Sequence, residues 1–175
     1  LNNTATGNAG APYDTIDPLQ FGSDFNCSSG RRYQLDGAVD DVRIYTQTLS
    51  SKEVEHLYKL GEGTKINTNT FAPNSTLEDG LIGHWTFNGS DMTLATATDK
   101  SGNGNDGTLT NGPMKVIGKL GQGLSFDGVD DEIYTTTNYG NSTSISRVTI
   151  SAWFKTSSAS GRKFIGLQEN QVGTA

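Results

Sequence analysis

The sequence predicts an all-β protein: a two-sheet antiparallel sandwich of jelly-roll type, with one short helix near residues 51–60. Three observations carry this. Glycine occurs 22 times in 175 residues, alongside frequent Thr, Ser and Asn, a composition that favours tight turns over helices. Apolar residues come in short runs, many alternating with polar ones, and Gly, Asn and Asp punctuate them, as in sandwiches and jelly rolls. A complete helix-start signature stands out once, at Ser50–Glu53.

Taken in order, residues 1–34 carry little pattern beyond Pro18–Gly22, which alternates as a short half-buried strand would and ends at a glycine turn. A strand follows from about Leu35 to Tyr45. Strict alternation puts Val39, Asp41, Arg43 and Tyr45 on one face and Asp40, Val42 and Ile44 on the other. An acid beside Val42 and Ile44 needs a partner, so Asp40 is either a candidate ligand or a hydrogen-bonded carboxylate. Ser50 caps the predicted helix 51–60, Glu53 completes the capping box, and Leu49 can staple to Val54. Val54, Leu57 and Tyr58 then form its apolar face, and Gly61 stops it. Residues 62–79 have few apolar positions and read as a linker. Beyond it, Leu81, Gly83, Trp85 and Phe87 share one face of a strand. Further strands are expected at Gly107–Leu109, Gly123–Phe126, Glu132–Thr136, Val148–Lys155 and Phe164–Leu167. The near-continuous apolar run from Val148 to Phe154 suits a central strand.

A net charge of -6 argues against nucleic acid and anionic membrane surfaces as partners, since both need clustered Lys and Arg. The basic pairs Arg31-Arg32 and Arg162-Lys163 read as solvated loop charges. No apolar stretch approaches the roughly 20 residues of a membrane span. The start LNNTATG is not a signal peptide, and a leader upstream stays open if the sequence is a slice of a longer protein. Cys27, the single cysteine, excludes a disulfide within the chain and reads as a small loop residue. His56 and His84 have no second histidine or cysteine nearby in sequence, which makes zinc improbable.

The segment Asp99–Gly107, DKSGNGNDG, is the densest group of oxygen ligands. Its glycines let the backbone turn tightly, and Asp and Asn add side-chain oxygens of the kind Ca²⁺ prefers. The competing reading is a turn-rich hairpin connection in which the same side chains cap backbone amides. Asp127–Glu132, DGVDDE, is a second acidic cluster, read first as a hairpin turn and only then as a metal site. Trp85, Trp153, Phe87, Phe126 and Phe154 fall on strand patterns and are expected in the core. Tyr134, Tyr139 and Trp153 are the candidates for stacking on a sugar ring if they face outward.

The motifs GLIGHWTFNGSD, DKSGNGNDGTL, GKLGQGLSFDGVDDEI, TISAWFK and LDGAVDDVRIYTQTLSSKEVEHLY cover about two-thirds of the chain. Together they resemble the laminin-G-like, concanavalin A-like jelly-roll domains found in tandem in bacterial extracellular proteins. The order departs from that family, in which the DDVRIY block comes last, and two or three central strands are missing. Residues 1–61 thus read as the C-terminal part of such a sandwich, 62–79 as a linker and 80–175 as an N-terminal part. Three arrangements are open: a slice across two repeats, a permuted single domain, or a domain completed by chain exchange. Whether Ala38–Tyr45 pairs with Leu81–Phe87 distinguishes them.

The resemblance implies a structural Ca²⁺ joining the domain's start to the Asp of its last strand. Carried onto this sequence, that means Asp40 with Asn88 and Asp91 or with Asp99, Asn103 and Asn105. It further implies a secreted or cell-surface bacterial protein that binds polysaccharide or glycoprotein and contacts copies of itself or adjacent repeats. Related folds include β-glucanases, but their E-x-D-x-x-E strand is absent. Consecutive Asp130, Asp131 and Glu132 would alternate between sheet faces. The expectation is a non-enzymatic carbohydrate- or matrix-binding module of adhesive type. A structural spacer of a surface adhesin or filament is the alternative, and an accessory domain of a glycoside hydrolase a weaker one.

Overall fold

In the computed structural model, described over residues 19–23, 25–26, 31–62, 77–135, 147–157 and 164–167, the two sequence blocks are interleaved. The strands are β1 (Leu19–Phe21), β2 (Phe25–Asn26), β3 (Arg31–Arg32), β4 (Asp36–Tyr45), β5 (Leu81–Trp85), β6 (Thr96–Ala97), β7 (Gly107–Thr110), β8 (Met114–Ile117), β9 (Gln122–Asp127), β10 (Glu132–Thr135), β11 (Thr149–Thr156) and β12 (Ile165–Leu167), with helix α1 at Ser51–Gly61. One sheet runs β12-β1-β10-β7-β6. The other runs β11-β4-β9-β8, with β5 also paired to β4. All pairings are antiparallel. The protein is an all-β two-sheet sandwich in which β1 and β4, from before the linker, each pair with strands from after it. β4 pairs with β5 in the same molecule.

The core lies between the sheets. Leu19, Phe21 and Ile133 from one meet Val39, Val42, Ile44, Trp85, Leu124 and Phe126 from the other. Phe21 meets Trp85 edge-on, with ring centroids 4.9 Å apart, a favoured aromatic geometry. The buried indole N–H of Trp85 donates to the Asn105 carbonyl at 3.0 Å, which spares it the cost of an unmet buried donor. A smaller apolar cluster of Tyr45, Leu49 and Leu57, with Leu60, Leu77 and Leu81 against it, seats α1 on the far face of the β4 sheet.

β4 departs from the alternation read in the sequence. Asp36–Val39 pairs with β9 and Val42–Tyr45 with β5, while β11 runs along the whole of the other edge. At the changeover, Trp153 opposes Asp40 and Ser151 opposes Arg43, so two residues of β4 face one of β11: a β-bulge. Asp41 takes φ +49 there, a left-handed conformation that Asp tolerates better than most residues. The bulge moves Val39 into the core with Val42 and Ile44 and turns Asp40, Asp41, Arg43 and Tyr45 to the outer face. A second register shift, between Ile44 and Tyr45, separates Leu81 from Gly83 and Trp85, which the sequence placed on one face.

Other expectations are corrected as well. α1 has the predicted capping box: the Glu53 amide donates to Ser50 Oγ at 3.4 Å and the Ser50 amide to Glu53 Oε2 at 2.6 Å. Leu57 is buried, but Val54 and Tyr58 are 53% and 54% exposed, because only one narrow stripe of the helix meets the sheet. Gly61 ends the helix without a positive φ. Its lack of a side chain serves packing, since a methyl group there would overlap the Trp153 ring. β11 is an edge strand of its sheet, not a central one. Its apolar run serves two neighbours: Ile150 and Ala152 pack on the core, whereas Phe154 is 56% exposed and stacks on Phe164. Asp127–Asp131 is not a hairpin, because β9 and β10 belong to different sheets and the segment crosses between them. Strands β2, β3, β6 and β8 have no counterpart in the sequence reading, and Arg31-Arg32, read as loop charges, form β3 because they pair with Phe25-Asn26. Cys27, Tyr139, Arg162, Lys163 and most of the 62–79 linker lie outside the described residues.

Candidate functional site

The bulge sets the chemistry of the outer face. Asp41 is held from two sides: Arg43 donates from Nε and Nη2 to its two oxygens, both at 3.1 Å, and Nε2 of His84 on β5 lies 2.8 Å from Oδ1. Burial alone would push the Asp41 carboxyl up, but the His84 and Arg43 contacts outweigh it and hold it below the usual carboxylate range. The neighbouring carboxylate has no such support. Asp40 is 3% exposed. Its Oδ2 accepts from the Leu120 amide at 2.7 Å, whereas Oδ1 is buried with no hydrogen-bond donor among the described residues. Burial pushes its pKa up against the pull of the Leu120, Lys119 and Asp41 amides, and the Asp41 charge adds to the rise.

Asp40 lies under the turn between β8 and β9. The Gly118 amide donates to the Gly121 carbonyl at 3.0 Å to close this turn. Gly118 is required where it stands, since a Cβ would meet the Asp40 carboxylate. From the other side the Asn88 Oδ1 accepts from the Gln122 amide at 2.9 Å. Two of the candidate ligands therefore brace one turn, two residues apart.

Beside Asp40 the outer face opens into a cleft of about 260 Å³. Ala38 and Asp40 of β4, Gly123 of β9, the turn residues Gly118 and Lys119, and Trp153 and Lys155 of β11 line it. The antiparallel register sets Trp153 beside Asp40 and Lys155 beside Ala38. Trp153 is half-buried. Its ring lies against Gly61 and 5.7 Å from the Tyr58 ring, so the end of α1 fixes it as a wall. The Lys119 ammonium sits 5.2 Å from the indole centroid, a cation–π contact worth about 0.5–1 kcal/mol at an exposed site.

The other predicted residues are placed elsewhere. Asp99 organises its own loop: Oδ1 accepts from the His84 and Ser101 amides, both at 2.9 Å, and Oδ2 from the Ser101 hydroxyl at 2.8 Å and the Asn105 amide at 2.9 Å. With four donors on two oxygens it has no lone pair left for a cation. The side-chain amide of Asn103 donates to the Leu81 carbonyl and to Ser101 Oγ, and that of Asn105 to the Ile82 carbonyl, which ties the loop to β5. Asp91 accepts from the Thr86 hydroxyl at 2.7 Å and pairs with Lys100 at 3.1 Å; these contacts lower its pKa, the Thr86 bond most. Tyr134 is half-buried on β10, in the other sheet from Trp153. Among the described residues, three carboxylates converge at Asp127, Asp130 and Asp131, within 4.8 Å of one another. Asp127 Oδ1 accepts from the Val129 amide there, and Asp131 Oδ2 from the Asp127 amide. Burial, then the nearby Asp127 and Asp130 charges, raise Asp131.

Lys119, Lys155 and Gly118 escaped sequence reasoning. The motif GKLGQG marked a turn, but its distance in sequence from both Asp40 and Trp153 hid the cleft. Comparison with family models, curated proteins and solved structures returns no match for this chain.

Proposed function

We propose that the chain is a non-enzymatic binding module for carbohydrate on polysaccharides or glycoproteins, working outside a bacterial cell, with the cleft at Trp153 and Asp40 as its ligand site. The observation that carries this is a fixed, half-buried indole lining an open cleft, beside a buried carboxylate whose Oδ1 has no donor among the described residues. A flat aromatic face suits the C–H face of a sugar ring, and a carboxylate oxygen accepts a hydroxyl, so one ligand uses both. For a ring to stack on Trp153, Lys119 must swing off the indole, at a cost of about 0.5–1 kcal/mol.

Calcium belongs to this reading as a structural ion. The Asp99 loop does not fit it, because its carboxylate is filled by donors. Asp127, Asp130 and Asp131 offer the converging oxygens that Ca²⁺ needs. No helix among the described residues is long and apolar enough to cross a membrane. The spacer or assembly reading draws on one feature: β8 is a sheet edge with Met114 and Ile117 70% and 95% exposed, as strand-edge contacts between repeats would use.

A glycan array and a pull-down on cell-wall polysaccharide separate the two, run on the wild type and Trp153→Ala. Binding lost in the variant supports the module. Silence across all polysaccharides by a folded wild type leaves the spacer.

A further inference from the structure

We infer that the cleft selects an acidic sugar, a uronate unit carrying a carboxylate, over its neutral counterpart. This deepens the carbohydrate reading above and rests on it. Lys119 and Lys155 both line the cleft, and neither has a carboxylate partner among the described residues. Elsewhere Lys59, Lys100 and Arg43 are each tied to an acid, whereas Lys52, Lys115 and Arg147 make no ion pair among the described residues; what sets Lys119 and Lys155 apart is that they line one hollow. Two unneutralised cations facing one hollow in an acidic protein give the site a local sign opposite to that of the whole molecule. That combination suits one compact anionic group and not a polyanion, which the remaining surface would repel.

The cleft's polar groups fall into two sets. Its floor is the buried Asp40, whose Oδ1 has no donor among the described residues but is shielded from solvent, so a ligand hydroxyl meets it only once the floor of the cleft opens. The ammonium groups of Lys119 and Lys155 are donors only, and they call for an acceptor, best an ionised one. A sugar ring bearing hydroxyls at one end and a carboxylate at the other meets both, with its apolar face toward Trp153. A neutral sugar gives the displaced Lys119 ammonium only neutral hydroxyl acceptors, whereas a uronate gives it an ionised and stronger one. The volume, about 260 Å³, lies just below the roughly 300–1,000 Å³ of drug-sized sites and admits one ring rather than a long segment.

The test is titration calorimetry of the intact chain with trigalacturonate and with the neutral galactose trimer of the same linkage. It uses the wild type, Lys155→Gln, the Lys119→Gln/Lys155→Gln pair and Trp153→Ala, each checked by circular dichroism. The wild type is expected to bind the acidic trimer about tenfold more tightly, the scale of two exposed ion pairs. The preference falls in Lys155→Gln, vanishes in the double variant and shrinks as salt rises, while Trp153→Ala weakens both ligands. Equal binding of both trimers, or an acidic preference that survives the double variant, overturns the inference and leaves the carbohydrate module standing. Failure of both trimers together with a silent glycan array overturns both. Since Lys155 lies on β11 and not in the Gly118–Gly121 turn, its single variant keeps the test open if the double variant misfolds.

Discussion

Asp41 is the residue on which the outer face depends, and replacing it separates charge from backbone. Its side chain is 7% exposed, and those of Arg43 and His84 are 12% and 15% exposed. Asp41→Asn keeps a side chain that tolerates φ +49 but removes the negative charge, leaving a nearly buried guanidinium uncompensated. Breaking a buried pair from one side costs about 3–5 kcal/mol. The low end, about 3 kcal/mol, is expected here, because the Asn side-chain oxygen can still accept from Arg43. Asp41→Ala loses the same charge and adds about 1 kcal/mol, because Ala lacks the short polar side chain whose local hydrogen bonding lets Asp and Asn tolerate the left-handed region. With a urea m-value of about 1–3 kcal/mol/M, the Asn variant's unfolding midpoint should fall by about 1–3 M, and the Ala variant's further. The pH dependence follows from the lowered folded pKa. The stabilisation from Asp41 is fully present above its ordinary value of 3.8 and is lost as pH falls through the depressed folded value. Asp41→Asn should therefore flatten the acid limb of the stability curve. Asp40 acts in the opposite sense, its raised folded pKa making the ionised form a cost that disappears on acidification, and since the Asp41 charge adds to that rise, Asp41→Asn relieves part of it; the flattening comes only from the Asp41 side. An Asn variant within 1 kcal/mol of wild type, or an unchanged acid limb, would refute the view that this charge network holds the bulge.

Gly61→Ala should destabilise by about 1–3 kcal/mol in urea unfolding, because the methyl group overlaps Trp153; a helix-interior glycine replaced without such a clash gains up to about 1 kcal/mol instead, so the sign decides. Asp99→Ala strands four donors and should cost on the order of 3 kcal/mol, with hydrogen exchange accelerated first at the Ser101 and Asn105 amides. In a thermal-shift titration, Ca²⁺ should raise the midpoint of wild type and of Asp40→Asn but not of Asp130→Asn; the reverse pattern would move the ion back to Asp40, and a flat wild-type response would remove calcium from this protein.

Local physics made part of this molecule legible in the sequence. Helix 51–61 was readable because its capping box closes within four residues. Most strands were readable because apolar spacing and Gly/Asn/Asp turns are short-range signals. Even the oddity of Asp40 was visible, as an acid in an apolar stretch. Its resolution was not. The bulge at Asp41 exists because β4 changes partner from β9 to β5 along one edge, and no window of sequence reports which strands arrive there. The exposure of Val54 and Tyr58, the edge position of β11 and the crossover at Asp127–Asp131 were likewise decided by neighbours remote in the chain. So was the candidate site. Composition and pattern set the all-β class, the two blocks and the inventory of Asp, Asn and aromatic residues. Only the tertiary structure filled Asp99 with amide donors, left Asp40 with an unmet oxygen, and brought Trp153, Lys119 and Lys155 to one cleft. The physical reason is that a turn or cap is satisfied by residues a few positions away, whereas a cleft is made by whichever strands share a sheet.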